Sequence, residues 1–143
     1  METSKLLDAV RHRPEMLGLD RSFGQAMAYI AGFDQAHNGD FLAGFREWLI
    51  TRVGTGSNWA WQGLVRYIAF PDIKTWELPP EEDKQAKELF LDLLTEFLAI
   101  RGKRDGRLRI YDSYGKWLRA QSWYRPGSDD YLDDDEESTP VKQ

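Results

Sequence analysis

The strongest constraint on the fold is an amphipathic run that follows Pro79-Pro80. Apolar side chains recur there at intervals of three and four residues, at Ala86, Leu89, Phe90, Leu93, Leu94, Phe97 and Leu98. This spacing predicts a long α-helix with one apolar stripe. Proline in the first turn and acids at 81–83 suit the start of a helix, and Arg101-Gly102 suits its end. We therefore expect one helix from about Pro80 to Arg101.

Four shorter helices are predicted before this run. Each apolar stretch follows residues that can cap a helix, and each is stopped by proline or glycine. The predicted helices cover about 4–12, 22–36, 40–53 and 58–70. Their predicted caps are Thr3 or Ser4, Asp20 or Ser22, Asp40, and Ser57 or Asn58, with Gln25 completing a capping box from Ser22.

Small residues recur every four positions in the second of these helices, at Gly24, Ala28 and Gly32. Glycine inside a helix costs stability relative to alanine. The strip therefore predicts a second helix packed very close to this one.

The segment 107–124 carries two patterns. Leu108, Tyr111, Tyr114 and Leu118 keep helical spacing, whereas the residues from 107 to 111 alternate like a strand. Because no partner strand is evident elsewhere, a helix is favoured. The predicted fold is all-α, a compact bundle of five to six helices over 1–125, with a disordered acidic tail over 126–143.

Charge is distributed unevenly along the chain. Residues 1–100 have a net charge of −5, residues 101–125 have +6, and residues 126–143 have −6. A basic segment is therefore followed directly by an acidic one, and the tail can fold back on that segment at high effective concentration.

Composition excludes several classes of protein. The chain has 143 residues, enough for one domain with its own core, and it has no cysteine for disulfides, thiol nucleophiles or zinc-cysteine sites. No stretch is apolar for about 18 residues, and the N-terminus lacks the apolar run of a signal peptide. We expect a cytoplasmic protein that does not enter membranes.

No recognisable catalytic or cofactor motif is present. His12 and His37 fall at predicted helix ends, where a cation interacts with the last carbonyls, and they form no metal-binding pair. The segment from Gly54 to Asn58 lacks the lysine of a P-loop and follows a helix, so it is interpreted as a connection between helices. We expect no cofactor, no metal and no catalysis.

Aromatic and charged residues favour recognition of a partner. Trp59 and Trp61 lie about 200° apart around a helix, so one of them should be exposed or should pack on another segment. Aromatic residues and arginine are enriched at interface hot spots. The predicted partner-binding residues are Asn58, Trp59, Trp61, Arg104, Arg107, Trp123, Tyr124, Asp133, Asp134 and Asp135. Nucleic acid is not the expected partner, because the chain is acidic overall and has no helix-turn-helix signature.

Four short motifs fall within residues 13–70. They are Arg13-Pro-Glu-Met-Leu-Gly18, Ile30-Ala-Gly-Phe33, Leu42-Ala-Gly-Phe-Arg-Glu-Trp48 and Asn58-Trp-Ala-Trp61. The combination resembles a diffuse set of small bacterial proteins, some of which are assigned as immunity proteins of polymorphic toxin systems. The resemblance implies one-to-one binding and neutralisation of a cognate toxin, with motifs that are mainly structural.

Three hypotheses follow. The first is a non-catalytic protein-binding domain, in its specific form an immunity-type inhibitor of a bacterial toxin domain. The second is a regulatory or scaffold subunit of a bacterial complex, whose basic segment at 101–125 is masked by the acidic tail. The third is a small enzyme without a recognisable motif.

Overall fold

The computed structural model describes residues 2–125. Its six α-helices are α1 (Thr3–His12), α2 (Phe23–Ala36), α3 (Phe45–Val53), α4 (Trp61–Ala69), α5 (Pro80–Arg101) and α6 (Gly106–Arg119), with a short 3-10 helix at Pro14–Leu17 between α1 and α2. This part of the chain contains no strand. The all-α prediction is confirmed, and the segment with two patterns forms a helix that ends at Arg119. The tail at 126–143 lies outside the described residues.

The helix α5 forms the centre of the bundle and contacts each of the other five helices. Phe90, Leu94 and Phe97 on its apolar stripe are fully buried. The last helix, α6, packs mainly against α3 and buries Tyr114 completely. The predicted stripe therefore becomes the core around which the shorter helices pack, and burial of such side chains supplies most of the stability.

One predicted cap is confirmed and the others are wrong. Ser22 caps α2, and its hydroxyl accepts a hydrogen bond from the Gln25 amide at 3.2 Å. The return bond of the capping box is absent, because the Gln25 side chain accepts from the Asp20 amide instead. Glu2 and Ala60 occupy the N-cap positions of α1 and α4 without a side-chain hydrogen bond, so neither Thr3, Ser4, Ser57 nor Asn58 acts as a cap.

The third helix begins later than predicted. Asp40 lies in a turn, and α3 starts after Gly44, whose φ of +91° favours glycine. A methyl group at Gly44 would contact Ile110 at 3.4 Å and Phe97 at 3.8 Å, so this turn lies directly against the core. The Asp34 carboxylate holds the turn by accepting from the Leu42 amide at 2.7 Å.

The prediction of a close helix contact along the small-residue strip is wrong. Gly24, Ala28 and Gly32 are all exposed, and a methyl group at either glycine would meet no other atom within 4 Å. The strip faces solvent because the buried face of α2 is the one that carries Phe23, Ala26, Met27 and Ile30.

The acidic side of α5 is partly used to attach its neighbours. Arg11 of α1 pairs with Glu88 and with Asp92, the latter at 2.9 Å. Arg52 of α3 pairs with Glu96 at 2.8 Å. These pairs bring arginines of α1 and α3 onto the polar side of α5, whose carboxylates stay partly exposed.

Candidate functional site

Arg66 is a buried charged residue on α4. Its side chain is 5% exposed, and its guanidinium donates hydrogen bonds to four main-chain carbonyls in the segment that follows the helix. The acceptors are Phe70 at 2.9 Å, Ile73 at 3.1 Å, Trp76 at 3.1 Å, and Thr75. A planar guanidinium with five N–H donors suits such a set of acceptors.

These bonds fix the path of the chain between α4 and α5. Carbonyl dipoles surround the arginine, so its charge is stabilised without a carboxylate partner. In return, Arg66 holds the backbone at Trp76 and Thr75 close to α4. The segment 70–76 is therefore a shaped part of the surface although it has no regular secondary structure.

Three exposed aromatic side chains gather on this frame. Trp59, Tyr67 and Trp76 are 38%, 37% and 56% exposed, and together with Pro71 they line an open cavity of about 320 Å³. The Trp59 and Tyr67 rings meet edge to face with centroids 5.2 Å apart. We call these four residues the aromatic groove.

The segment before α4 fixes Trp59. Gly56 has a φ of +87°, and a methyl group there would lie 2.6 Å from Leu64 and 2.9 Å from the Trp59 ring, so only glycine fits. Arg46 of α3 donates to the Trp59 carbonyl at 2.7 Å and to the Ser57 carbonyl. The segment from Gly54 to Asn58 is a connection between α3 and α4, as predicted, and it places an indole at the surface.

The groove offers apolar walls and hydrogen-bond donors. Neither indole N–H nor the Tyr67 hydroxyl has a hydrogen-bond partner within residues 2–125. Lys74 also lines the cavity. Aromatic faces with donors at their edges can bind an apolar chain whose carbonyls are free to accept hydrogen bonds.

The two neighbouring tryptophans diverge as predicted, but the helical spacing is not the reason, because Trp59 lies before α4. Trp59 is at the surface, whereas Trp61 is half-buried and stacks on Phe90 with centroids 5.4 Å apart. Trp61 also contacts Phe45, at 5.7 Å, so it supports the core beneath the groove. Asn58 is exposed beside Trp59.

The other predicted binding residues lie elsewhere. Arg104 and Arg107 are exposed around the turn between α5 and α6, and Trp123 is 52% exposed with its ring edge on Trp117. Tyr124 is half-buried against the core. None of these four residues lines the groove. Asp133, Asp134 and Asp135 lie outside the described residues.

Arg101, at the head of the basic segment, is structural. It donates to the carbonyls of Asp40 and Ala43, at 3.0 Å each, and lies over the Phe97 ring. Burial lowers the pKa of Arg101, and the nearby Arg107 lowers it further. Burial and the Glu47 carboxylate raise the pKa of Tyr111 on the same side of the bundle.

One of the two histidines contacts a carbonyl at a helix end. The ring of His37 is bonded through Nδ1 to the Phe33 carbonyl in the last turn of α2, at 2.8 Å, which confirms the predicted role. His12 is exposed, with Nε2 3.9 Å from Asp8. Residues 2–125 contain no cluster of three or more potential metal ligands. In the same range, every helix is too short or too polar to span a membrane.

Sequence reasoning missed the two charged residues that are buried among the described residues, Arg66 and Lys87. Lys87 had a visible signal, since it lies three, four and seven positions before Phe90, Leu91 and Leu94 on the buried face of α5. Arg66 had none, because its partners come from an irregular segment. No protein-family model, curated protein or solved structure matches this chain.

Proposed function

We propose that this protein is a non-catalytic binding domain that recognises another protein through the aromatic groove. The observation that carries the proposal is the exposure of Trp59, Tyr67 and Trp76 on a frame fixed by Arg66. Exposed aromatic rings that need little further ordering are typical of interface hot spots. Leaving them in water without a partner has no benefit for stability.

The partner segment that suits this groove is extended and contains proline. A polyproline II chain has no internal hydrogen bonds, so its carbonyls are free to accept from indole N–H groups and from a tyrosine hydroxyl. Its ring surfaces pack on aromatic walls, as in other aromatic-lined grooves. Lys74 adds a cation at the rim and favours an acid beside the proline segment.

The specific role we propose is neutralisation of a cognate bacterial toxin in the cytoplasm. Its support is the resemblance of residues 13–70, a range that includes Trp59, and the absence of cysteine fits a reducing compartment. An immunity protein of this kind is encoded beside its toxin. Co-expression with the toxin domain of the adjacent gene should restore growth, and Trp76→Ala should abolish the protection.

A matched variant makes this experiment selective. Trp123 is 52% exposed, close to the 56% of Trp76, but it lies outside the groove. Trp123→Ala should therefore protect as well as the wild type. Equal protection by both variants would exclude the groove as the interface, and an adjacent gene without a toxin domain would count against the immunity role.

A defined peptide tests the chemistry of the groove separately. We expect tryptophan fluorescence to change saturably with a decapeptide of proline and not with a decapeptide of glycine and serine. Removing an aromatic anchor costs about 2 kcal/mol or more, so Trp76→Ala should weaken binding at least about tenfold. Unchanged affinity in Trp76→Ala would refute the assignment.

A second function is favoured by the exposed basic segment. Four basic side chains of this segment are exposed and form no hydrogen bond or ion pair with other described residues: Lys103, Arg104, Arg107 and Arg109. They support a regulatory or scaffold role in which the tail at 126–143 competes with an acidic partner. Deleting the tail should then strengthen binding to that partner, and unchanged affinity would exclude the masking.

A further inference from the structure

The second buried charge, Lys87 of α5, differs from Arg66 in having no bonded partner. Its side chain is 4% exposed, and it forms no hydrogen bond or ion pair with any residue in the range 2–125. A lysine is seldom this buried unless its charge has a partner or its ammonium group reaches an accessible cavity. The surroundings of its ammonium group therefore indicate what it does.

The ammonium group opens into a cleft. Every fully enclosed side-chain nitrogen or oxygen of the described residues has a hydrogen bond, so the unbonded Nζ of Lys87 must keep some accessible surface. Lys87 lines a cavity of about 610 Å³ bounded by α1, the start of α2 and the first turns of α5. The aliphatic stem is thus buried and the charge faces the cavity. We call this cavity the lysine cleft.

Most other charges in the lysine cleft already have partners. Arg11 is paired with Glu88 and Asp92, and Arg21 is paired with Glu15 at 2.8 Å. These pairs hold their side chains at the walls of the cleft. The carboxylates that pair with these two arginines form no ion pair with Lys87.

The two remaining acids of the cleft are also bonded. The Asp83 carboxylate accepts from the Phe23 amide at 3.0 Å, at the start of α2. Asp20 accepts from the Ser22 amide at 2.8 Å. Among the groups that line the cleft, Lys84 and Lys87 are the cations left without a hydrogen bond or ion pair to a described residue. Neither lysine forms an ion pair with a described residue, although Asp20 attracts Lys87 and the carboxylates of Asp20, Asp83 and Glu88 also line the cleft.

We infer that the lysine cleft binds a small organic anion whose phosphate or carboxylate group pairs with Nζ of Lys87. The cavity volume falls within the usual range of small-molecule sites, roughly 300–1,000 Å³. Lys84, one turn earlier on α5, supplies a second cation at the rim. The carboxylates of Asp20, Asp83 and Glu88 can accept from hydroxyl or amino groups on the rest of the ligand. This inference does not depend on the function of the aromatic groove.

The site can be tested on the full chain with inorganic phosphate and succinate as probes. The protein is labelled with carbon-13 at lysine Cε, and each anion is titrated against sodium chloride at equal ionic strength. We expect the Lys87 signal, assigned by its loss in Lys87→Met, to shift saturably with at least one probe. The probe that saturates at lower concentration identifies the charged group of the ligand. Proportional, unsaturable shifts of all lysine signals with both probes would overturn the inference.

Matched variants test the role of Lys87 itself, with binding followed at the Lys84 signal. Because Lys87→Met removes a charge-assisted hydrogen bond to the anion, it should weaken binding at least about tenfold. Lys5→Met removes the same charge from an exposed position outside the cleft, and its affinity should stay within about twofold of the wild type. Lys87→Arg keeps the charge and should bind more tightly than Lys87→Met. Equal affinity in Lys87→Met and the wild type would overturn the inference.

Discussion

Arg66 and Lys87 are both buried cations, 5% and 4% exposed, yet their surroundings differ in kind. Arg66 donates to four main-chain carbonyls of its own chain. Lys87 has no such partner among the described residues and faces a cavity lined with charged groups. The role of a buried charge therefore cannot be inferred from its burial alone. It has to be inferred from the hydrogen bonds that the charge makes.

The two regions around these residues differ accordingly. At the aromatic groove, the polar groups of the supporting frame are bonded to each other, and the surface left for a partner is mainly aromatic, with hydrogen-bond donors at its edges. At the lysine cleft, the framework is bonded and the group left over is a charge. The first arrangement suits an extended apolar segment and the second suits an anion. Four predictions separate the two regions, in order of decreasing effect.

The largest effect is expected at Arg66. Arg66→Met leaves four carbonyls without their donor, and it should lower the free energy of unfolding by about 3 kcal/mol. Urea denaturation measures this directly. The loss should be accompanied by weaker binding at the aromatic groove, because Trp76 is held through its carbonyl. A loss below about 0.5 kcal/mol, the size of a neutral surface change, would show that the segment 70–76 is held by other contacts.

A conservative replacement sharpens this prediction. Arg66→Lys keeps the charge but has three donors on one atom, and these cannot reach carbonyls spread from Phe70 to Trp76. It should therefore lose nearly as much stability as Arg66→Met. Full stability in Arg66→Lys would mean that charge alone matters at this position.

The opposite sign is expected at Lys87. Lys87→Met removes a charge that has no hydrogen bond or ion pair to a described residue, and it keeps most of the side-chain volume. In chloride buffer it should leave the free energy of unfolding unchanged or raise it by up to about 1 kcal/mol. The same urea experiment measures it. A loss comparable to that of Arg66→Met would show that Lys87 is stabilised in the fold and is not reserved for a ligand.

The smallest effect concerns Asp20 at the edge of the lysine cleft. The hydrogen bonds from the Ser22 hydroxyl and amide lower the pKa of Asp20 below its usual 3.8. Because the folded state favours the carboxylate, this contribution is present above pH 3.8 and is lost as the pH falls through the lowered pKa. Asp20→Asn should therefore be less stable than the wild type near neutral pH. The difference should vanish in acid, and a difference independent of pH would contradict the assigned cause.

Much of the helical fold could be predicted from periodicity. The helix from Pro80 to Arg101 has a regular stripe, and the Ser22 cap has its partner three residues away, so both depend on local sequence alone. Several caps were wrong because capping residues are common and local pattern does not show where the chain turns. Gly44 immediately precedes α3 with a φ of +91°, a conformation that favours glycine and that the local pattern did not indicate.

The candidate sites were less predictable than the fold. Trp59 and Trp61 diverge because α4 begins at Trp61 and leaves Trp59 in the connection before it. The groove also needs Trp76, which an irregular segment brings to α4 through Arg66. Lys87 was visible as a charge on an apolar face, whereas its lack of a partner depends on where α1 and α2 place their own charges. Both sites depend on contacts between residues that are far apart in the sequence, and a short stretch of sequence does not show such contacts.

The most direct measurement is the effect of the tighter-binding probe, phosphate or succinate, on the unfolding free energies of the wild type, Arg66→Met and Lys87→Met. A ligand at ten times its Kd raises the free energy of unfolding by about 1.4 kcal/mol. Phosphate also stabilises proteins without binding, because it is excluded from their surface. The gain of Lys87→Met measures this non-specific part. We predict that the wild type and Arg66→Met gain this amount beyond Lys87→Met, although Arg66→Met starts from a lower stability. Equal gains in all three proteins would contradict the account.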